Sequence, residues 1–229
     1  MIDPTMDMAQ GSGMTPMHRK RRLWLGLASM LLIAGILVWL IADYGGTWKD
    51  RFVPRKFRVV EPGAIFASGQ IDRHLIRGVL TDYHIRVIVC LIGGDDTNPD
   101  STAEDQAARE LGITRVYFPL SGDGTGDIHE YADAIAAIVA AQKAGEPVLV
   151  HCSSGSQRTN GAVFFYRVLV EKRDPDATAE EMFRNGHDPR ENPALIPYLN
   201  QHMAEMARLL VERGVIDQVP DPLPQIHHE

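Results

Sequence analysis

The stretch that most constrains this chain runs Pro147-Val-Leu-Val-His151-Cys152-Ser-Ser-Gly155-Ser-Gln-Arg158-Thr159-Asn-Gly161. It reads as a buried strand, a tight polar loop and the start of a helix, which places Cys152 at the positive end of the helix dipole. A thiol there ionises readily, and the thiolate is the nucleophilic form. His151 and Arg158 are the neighbours that would lower it further, although His151 could equally serve only to orient the loop through hydrogen bonds. Ser153, Ser154, Gly155, Ser156 and Gln157 are all small or polar, and Gly155 is free to take an unusual backbone angle. Their N–H groups can turn inward as a nest for a tetrahedral oxyanion, with the Arg158 guanidinium as a bidentate clamp. The chemistry that fits is attack of Cys152 on phosphorus, giving a thiophosphoryl intermediate that water hydrolyses.

His-Cys, five residues, Arg-Thr resembles the signature of the cysteine-dependent protein tyrosine and dual-specificity phosphatases. The resemblance implies that Cys152 is the nucleophile, Arg158 the phosphate binder and Thr159 the hydroxyl that helps expel the thiolate. The family often has glycine directly after that hydroxyl residue, where this chain has Asn160 and then Gly161.

Departure of an alkoxide or phenoxide needs a proton, which a loop carboxylic acid over the nest would supply. Asp127 and Glu130 have capping-box spacing ahead of a helix predicted over 128–143, so Asp127 is read as its cap. Asp123, in a glycine-flanked loop 29 residues ahead of Cys152, is the candidate acid. Its spacing is similar to that of the general acid in dual-specificity phosphatases; an ordinary solvated turn is the alternative.

Around the signature, Phe57 to Gln70 holds two short β-prone runs split by Pro62-Gly63, a hairpin signal similar to the entry strands of that family. A short helix follows over 73–83 and a continuous apolar strand over 86–92. A helix over 101–111 comes next, with Ser101 and Glu104 at capping-box spacing, and then a strand over 114–120. The alternation predicts an α/β fold with a mainly parallel central sheet flanked by helices. After a helix over 158–171, Asp174-Pro175 acts as a breaker, Thr178 to Glu181 caps a helix through Arg184, and Asn192-Pro193 opens one through about Arg213. The layout resembles the atypical dual-specificity group over 57–213, followed by a Pro-rich tail over 214–229 expected to be extended and uncovered.

Residues 1–22 read as a disordered leader ending in a basic cluster, and 23–42 as an uncharged run of 20 residues, long enough for one transmembrane anchor. Residues 43–56 form a linker. A cleaved signal peptide is the rival reading, but Ile41-Ala-Asp-Tyr-Gly-Gly makes a poor cleavage site. Basic residues flank the run on both sides; the Arg19 to Arg22 cluster abutting it favours a catalytic domain outside the cytoplasm. The expectation is therefore a single-pass membrane protein with the lipid bilayer as one partner. The formal net charge of −7, with no basic run inside the domain, argues against nucleic acid. Two cysteines without zinc spacing suggest no metal or other cofactor.

The substrate expected is a phosphorylated protein or another phosphomonoester. The loop from Ser153 to Gln157 contains no lysine, which weighs against an inositol polyphosphate, while a phospholipid head group stays open. A phosphate-binding module without turnover is the rival outside the enzymes. Cys90 is read first as a packed strand cysteine; the alternative, which resembles some family members, is a redox partner that forms a disulfide with Cys152.

Overall fold

The computed structural model describes residues 29–36, 38, 49–95 and 97–227. It divides into two units, Met1–Lys49 and Asp50–Glu229. In the first, residues 29–36 and 38 are helical with exposed side chains. Among the described residues no helix is long and apolar enough to cross a membrane. The continuous described stretch rises roughly 12 Å, against a hydrocarbon core of roughly 30 Å. The expected single-pass anchor over 23–42, and the bilayer as partner, are corrected accordingly. Residues 23–28, 37 and 39–42 of that run lie outside the described residues, as does all of the leader over 1–22.

The second unit is built on five strands: β1 (Arg58–Glu61), β2 (Ile65–Ser68), β3 (Val87–Cys90), β4 (Thr114–Tyr117) and β5 (Val148–His151). Their order across the sheet is β1-β2-β5-β3-β4. β2, β5, β3 and β4 are parallel, but β1 pairs antiparallel with β2 through the Pro62-Gly63 turn, with an irregularity between Val59 and Glu61. The sheet is thus mixed, and the expectation of a mainly parallel one is corrected: a hairpin of only a few linking residues can return the chain in no other direction.

β3 and β5 lie at the centre, and every residue in both is buried, as their near-continuous apolar sequences require. Alternate side chains point to opposite faces. Val87, Val89, Leu91, Val148, Val150 and Cys152 belong to one core layer, while Ile88 and Leu149 belong to the other. The larger layer is closed by α3 (Ile128–Lys143), α4 (Arg158–Phe165, continued as a π-helical turn Tyr166–Val170), α5 (Pro175–Arg184) and α6 (Leu195–Glu212). The smaller is closed by α1 (Ile76–Asp82) and α2 (Pro99–Leu111).

Three helix starts differ in detail from the expected ones. α2 begins two residues before Ser101: Asn98 caps it, accepting from the N–H groups of Asp100 (2.9 Å) and Ser101 (3.4 Å), with Pro99 in the first turn. Asp174 ends nothing but instead caps α5, accepting from Ala177 N–H at 2.8 Å, and Pro175 opens the helix. α6 starts at Leu195 behind Ala194. The tail is tied down at its far end, where Ile226 is buried and exchanges two hydrogen bonds with the Asn200 side chain (2.9 and 3.0 Å).

Candidate active site

β5 delivers Cys152 to the carboxyl edge of the parallel strands, where open α/β sheets place their sites. The loop from Cys152 to Arg158 then turns into α4. The turn depends on Gly155, which has φ +78°, and a Cβ there would lie 2.6 Å from Gly69 N and 2.8 Å from Ser68 C. The backbone after β2 holds the other side of the loop, with Gln70 N–H donating to Ser153 O at 3.0 Å.

The Cys152 thiol is buried, which by itself pushes its pKa up. The Thr159 hydroxyl and N–H, the Arg158 charge and the Gly155 N–H (3.2 Å) together outweigh burial and hold it below the ordinary thiol value. Thr159 is fully buried, and its hydroxyl also faces Ser68 O at 3.4 Å. Arg158 donates to Leu120 O at 3.4 Å, while its buried Nε has no hydrogen-bond partner among the described residues. Ser154 Oγ accepts from Ser156 N–H at 3.4 Å. The structure therefore brings Cys152, Arg158, Thr159 and the loop from Ser153 to Gln157 together at the end of β5. Asn160, standing where the resemblance leads one to expect glycine, is buried; it accepts from Arg58 at 2.7 Å and donates to Met182 O at 3.2 Å, joining the loop to β1 and α5.

Asp123 sits in the exposed loop after β4 and within the reach of the Arg158 charge. Its carboxylate accepts from Thr125 N–H (3.0 Å) and Thr125 Oγ1 (2.8 Å), and these bonds hold its pKa below the ordinary carboxylate value. The loop is fastened to the core by Tyr131, which is fully buried and donates to Gly124 O at 2.7 Å. Asp127 caps α3, accepting from His129 N–H at 2.9 Å.

His151 and Cys90 lie elsewhere. By the alternation of the strands both point to the face covered by α2, away from Cys152. The sheet thus separates the two thiols, and a direct Cys90–Cys152 bond would require the strand ends to rebuild. The His151 ring faces Glu104 at 3.0 Å through Nε2, while its Nδ1 approaches Cys152 O at 3.4 Å. Glu104 is also bound by Arg115 (2.7 Å) and Gln70 (3.1 Å), and Arg115 reaches on to Asp105 at 2.5 Å. Burial opposes both charges, but Glu104 followed by Cys90 raises His151 well above the usual imidazole value, and His151 and Arg115 lower Glu104. His151 thus meets the loop from behind, at Cys152 O, and the Arg158 charge is among the groups that lower the thiol. Cys90, Glu104 and His151 place candidate ligand atoms within 4.8 Å of one another. The Arg115 guanidinium shares Glu104 with the His151 ring there, at 2.7 Å and 3.0 Å.

Three further side chains touch the loop, and none is marked by spacing in the sequence. Lys56 donates to Ser156 Oγ. Arg58 donates to Gly155 O at 3.3 Å. Buried His187, stacked on Phe183, meets Gln157 Oε1 at 2.6 Å and braces the end of the loop.

This loop, at the end of a central strand of a mixed sheet, resembles the one that the signature suggested, and solved cysteine-dependent phosphatases share the fold. No family model matches the chain. It is 37% identical over 71 residues to the dual specificity protein phosphatase TpbA of Pseudomonas aeruginosa, a match covering 31% of this chain and 32% of that protein. The crystal structure of P. aeruginosa TpbA is similar at a TM-score of 0.56 and 22% identity, covering 70% of this chain and 91% of that one. The catalytic core of the PP-IP phosphatase Siw14 from S. cerevisiae gives 0.55 and 18%, covering 75% and 97%. PTPMT1 gives 0.51 and 14%, covering 66% and 99%.

Proposed function

We propose that this chain is a phosphoric monoester hydrolase working through a cysteinyl-phosphate on Cys152. The observation that carries the reading is the placing of Cys152 at the end of β5, where its Sγ accepts from the Gly155 N–H at 3.2 Å and Thr159 and Arg158 hold the thiol below its ordinary value. In the first step Cys152 Sγ bonds to phosphorus as the bond to the leaving oxygen breaks, and Asp123 supplies that oxygen with a proton. In the second, Asp123 takes a proton from water, the water oxygen bonds to phosphorus, and the S–P bond breaks with the Thr159 hydroxyl donating to the departing thiolate. Asp123 is ionised in the free site. It becomes an acid when a phosphate dianion settles on Arg158, because a like charge favours the neutral carboxyl. Arg158 and the loop amides bind the three phosphoryl oxygens throughout.

The substrate class best matched by a narrow neutral loop is a phosphotyrosine, phosphoserine or phosphothreonine protein. An inositol phosphate or phosphoinositide is the second reading, favoured by the Lys56 ammonium at Ser156. The test is turnover of para-nitrophenyl phosphate, phosphopeptides and inositol phosphates by the wild type and by Cys152→Ser. Hydrolysis lost in Cys152→Ser is the expected result. Phosphate-ester binding with no turnover by the reduced wild type would instead leave a silent phosphate-binding module.

A further inference from the structure

The face of the sheet turned away from Cys152 carries a buried polar cluster that the proposed reaction does not use. Ser68, His151 and Cys90 stand abreast on β2, β5 and β3, because the parallel register pairs Ser68 with His151 and His151 with Cys90. α2 covers this face and brings Glu104 to the His151 ring at 3.0 Å. The Cys90 thiol, a Glu104 carboxylate oxygen and a His151 ring nitrogen lie within 4.8 Å of one another, and all three residues are buried.

Polar atoms without partners are costly inside a packed layer. Among the described residues, Ser68 Oγ, Gln70 Oε1, Glu104 Oε1 and His151 Nε2 are nevertheless buried without a hydrogen bond. Two of these, Glu104 Oε1 and His151 Nε2, face each other beside the thiol. Bonds of about 2.0–2.3 Å from zinc to oxygen, nitrogen and sulfur set tetrahedral ligand atoms roughly 3.3–3.6 Å apart. The oxygen–nitrogen separation of 3.0 Å is slightly short of that, and the sulfur, inside 4.8 Å, lies within reach of a small side-chain rotation.

The surroundings supply what a metal needs beyond its ligands. His151 Nδ1 meets the Cys152 carbonyl at 3.4 Å, and Gln70 donates to Glu104 Oε2 at 3.1 Å. Arg115 reaches both Glu104 (2.7 Å) and Cys90 (3.9 Å). Charge balances as well. A divalent ion and Arg115 bring three positive charges, matched by the Cys90 thiolate, Glu104, and Asp105, which Arg115 holds at 2.5 Å. Binding sends to solvent the protons that the thiol and the ring nitrogen carried.

We propose that Cys90, Glu104 and His151 form a binding site for a zinc-class divalent cation behind the catalytic loop, with water in the fourth position. Thiolate, imidazole and carboxylate together suit zinc. The ligands come from β3, α2 and β5, so spacing along the chain does not mark them. The site stands whether or not the phosphatase reading does. Its occupancy is felt at the nucleophile, because the ring that holds the metal also meets Cys152 O.

Reduced, tag-free full-length protein, wild type and Cys152→Ser, is titrated with cobalt(II) as a spectroscopic stand-in for zinc, and then with zinc. Both should show a thiolate-to-cobalt charge-transfer band with the visible absorption of a four-coordinate ion, saturating at one equivalent and lost on adding zinc. Adding Cys90→Ser should remove the charge-transfer band and weaken zinc binding by about 100-fold or more. His227 and His228 in the tail offer cobalt no sulfur, so they cannot produce that band. Zinc X-ray absorption on the Cys90-intact Cys152→Ser protein reads the same claim without the second variant, and should show one sulfur among nitrogen and oxygen neighbours. A sulfur-free sphere or a charge-transfer band that survives Cys90→Ser overturns the site. So does a band present only with Cys152 intact, which would put the metal on the nucleophile.

Discussion

Replacing Glu104 by Gln tests whether the site is held by charge from behind. Glu104 is fully buried, and its carboxylate answers two cations, Arg115 at 2.7 Å and His151 at 3.0 Å, with Gln70 at 3.1 Å. Glu104 Oε1 and His151 Nε2 meet as ions without a well-aligned hydrogen bond, so the neutral amide has little to keep. Removing one partner of a buried pair costs about 3–5 kcal/mol. Two reliefs place this case near the lower bound: Arg115 keeps Asp105, and His151 can release its proton. About 3 kcal/mol corresponds to a drop in Tm of roughly 6–12 °C for a unit of this size. The pH dependence has a fixed sign. Glu104 is held below its ordinary value, so its contribution is present above about pH 4.3 and is lost as pH falls through the lowered folded value. His151 is held well above its ordinary value, so its contribution is complete below about pH 6.5 and is lost as pH rises through the raised one. The stability gap between wild type and Glu104→Gln, measured by urea unfolding, should therefore be widest near pH 6 and narrow towards pH 9. A gap below about 1 kcal/mol at pH 6, or one that is constant to pH 9, would refute the reasoning.

Asp123→Asn should slow hydrolysis of alkyl phosphates by about 100-fold or more and of para-nitrophenyl phosphate much less, read as kcat across a leaving-group series; equal slowing of all esters would remove Asp123 as the acid. Thr159→Ala takes away the hydroxyl that heads the groups lowering Cys152, so the acid limb of kcat/KM should move to higher pH while binding of inorganic phosphate is retained. Tyr131→Phe strands the Gly124 carbonyl in a buried position and should cost about 1–3 kcal/mol in unfolding experiments, with a larger fall in kcat than in phosphate affinity.

The strand, loop and helix around Cys152 and the β1–β2 hairpin were legible because each is written in adjacent residues. Cys152, Arg158 and Gly155 act through one short loop, and α3 follows from Asp127 and its periodic apolar face. Glu104 was misread for an instructive reason: Ser101 and Glu104 satisfy the capping-box spacing, yet Asn98 and Pro99 start the helix earlier and free Glu104 to point inward. Spacing along a helix says nothing about a strand 47 residues further on, and the histidine that Glu104 meets is fixed by the β3–β5 register. The packed strand position expected first for Cys90 is where the structure places it, and the strand register bears on the alternative pairing with Cys152. Both cysteines sit at neighbouring strand ends, but Cys90 lies level with His151, so Cys152 is one residue out of phase and faces the opposite layer.

The substrate argument turns on that limit of sequence reading. Counting lysines between Cys152 and Arg158 assumes that a loop supplies its own charge. In this fold the loop is packed against the entry to β1, whose Lys56 and Arg58 reach it from about 100 residues away in sequence. Cations can therefore sit against a loop whose own five residues include no lysine: Arg58 meets Gly155 O and Asn160 Oδ1, and Lys56 meets Ser156 Oγ, none of which spacing within the signature reveals.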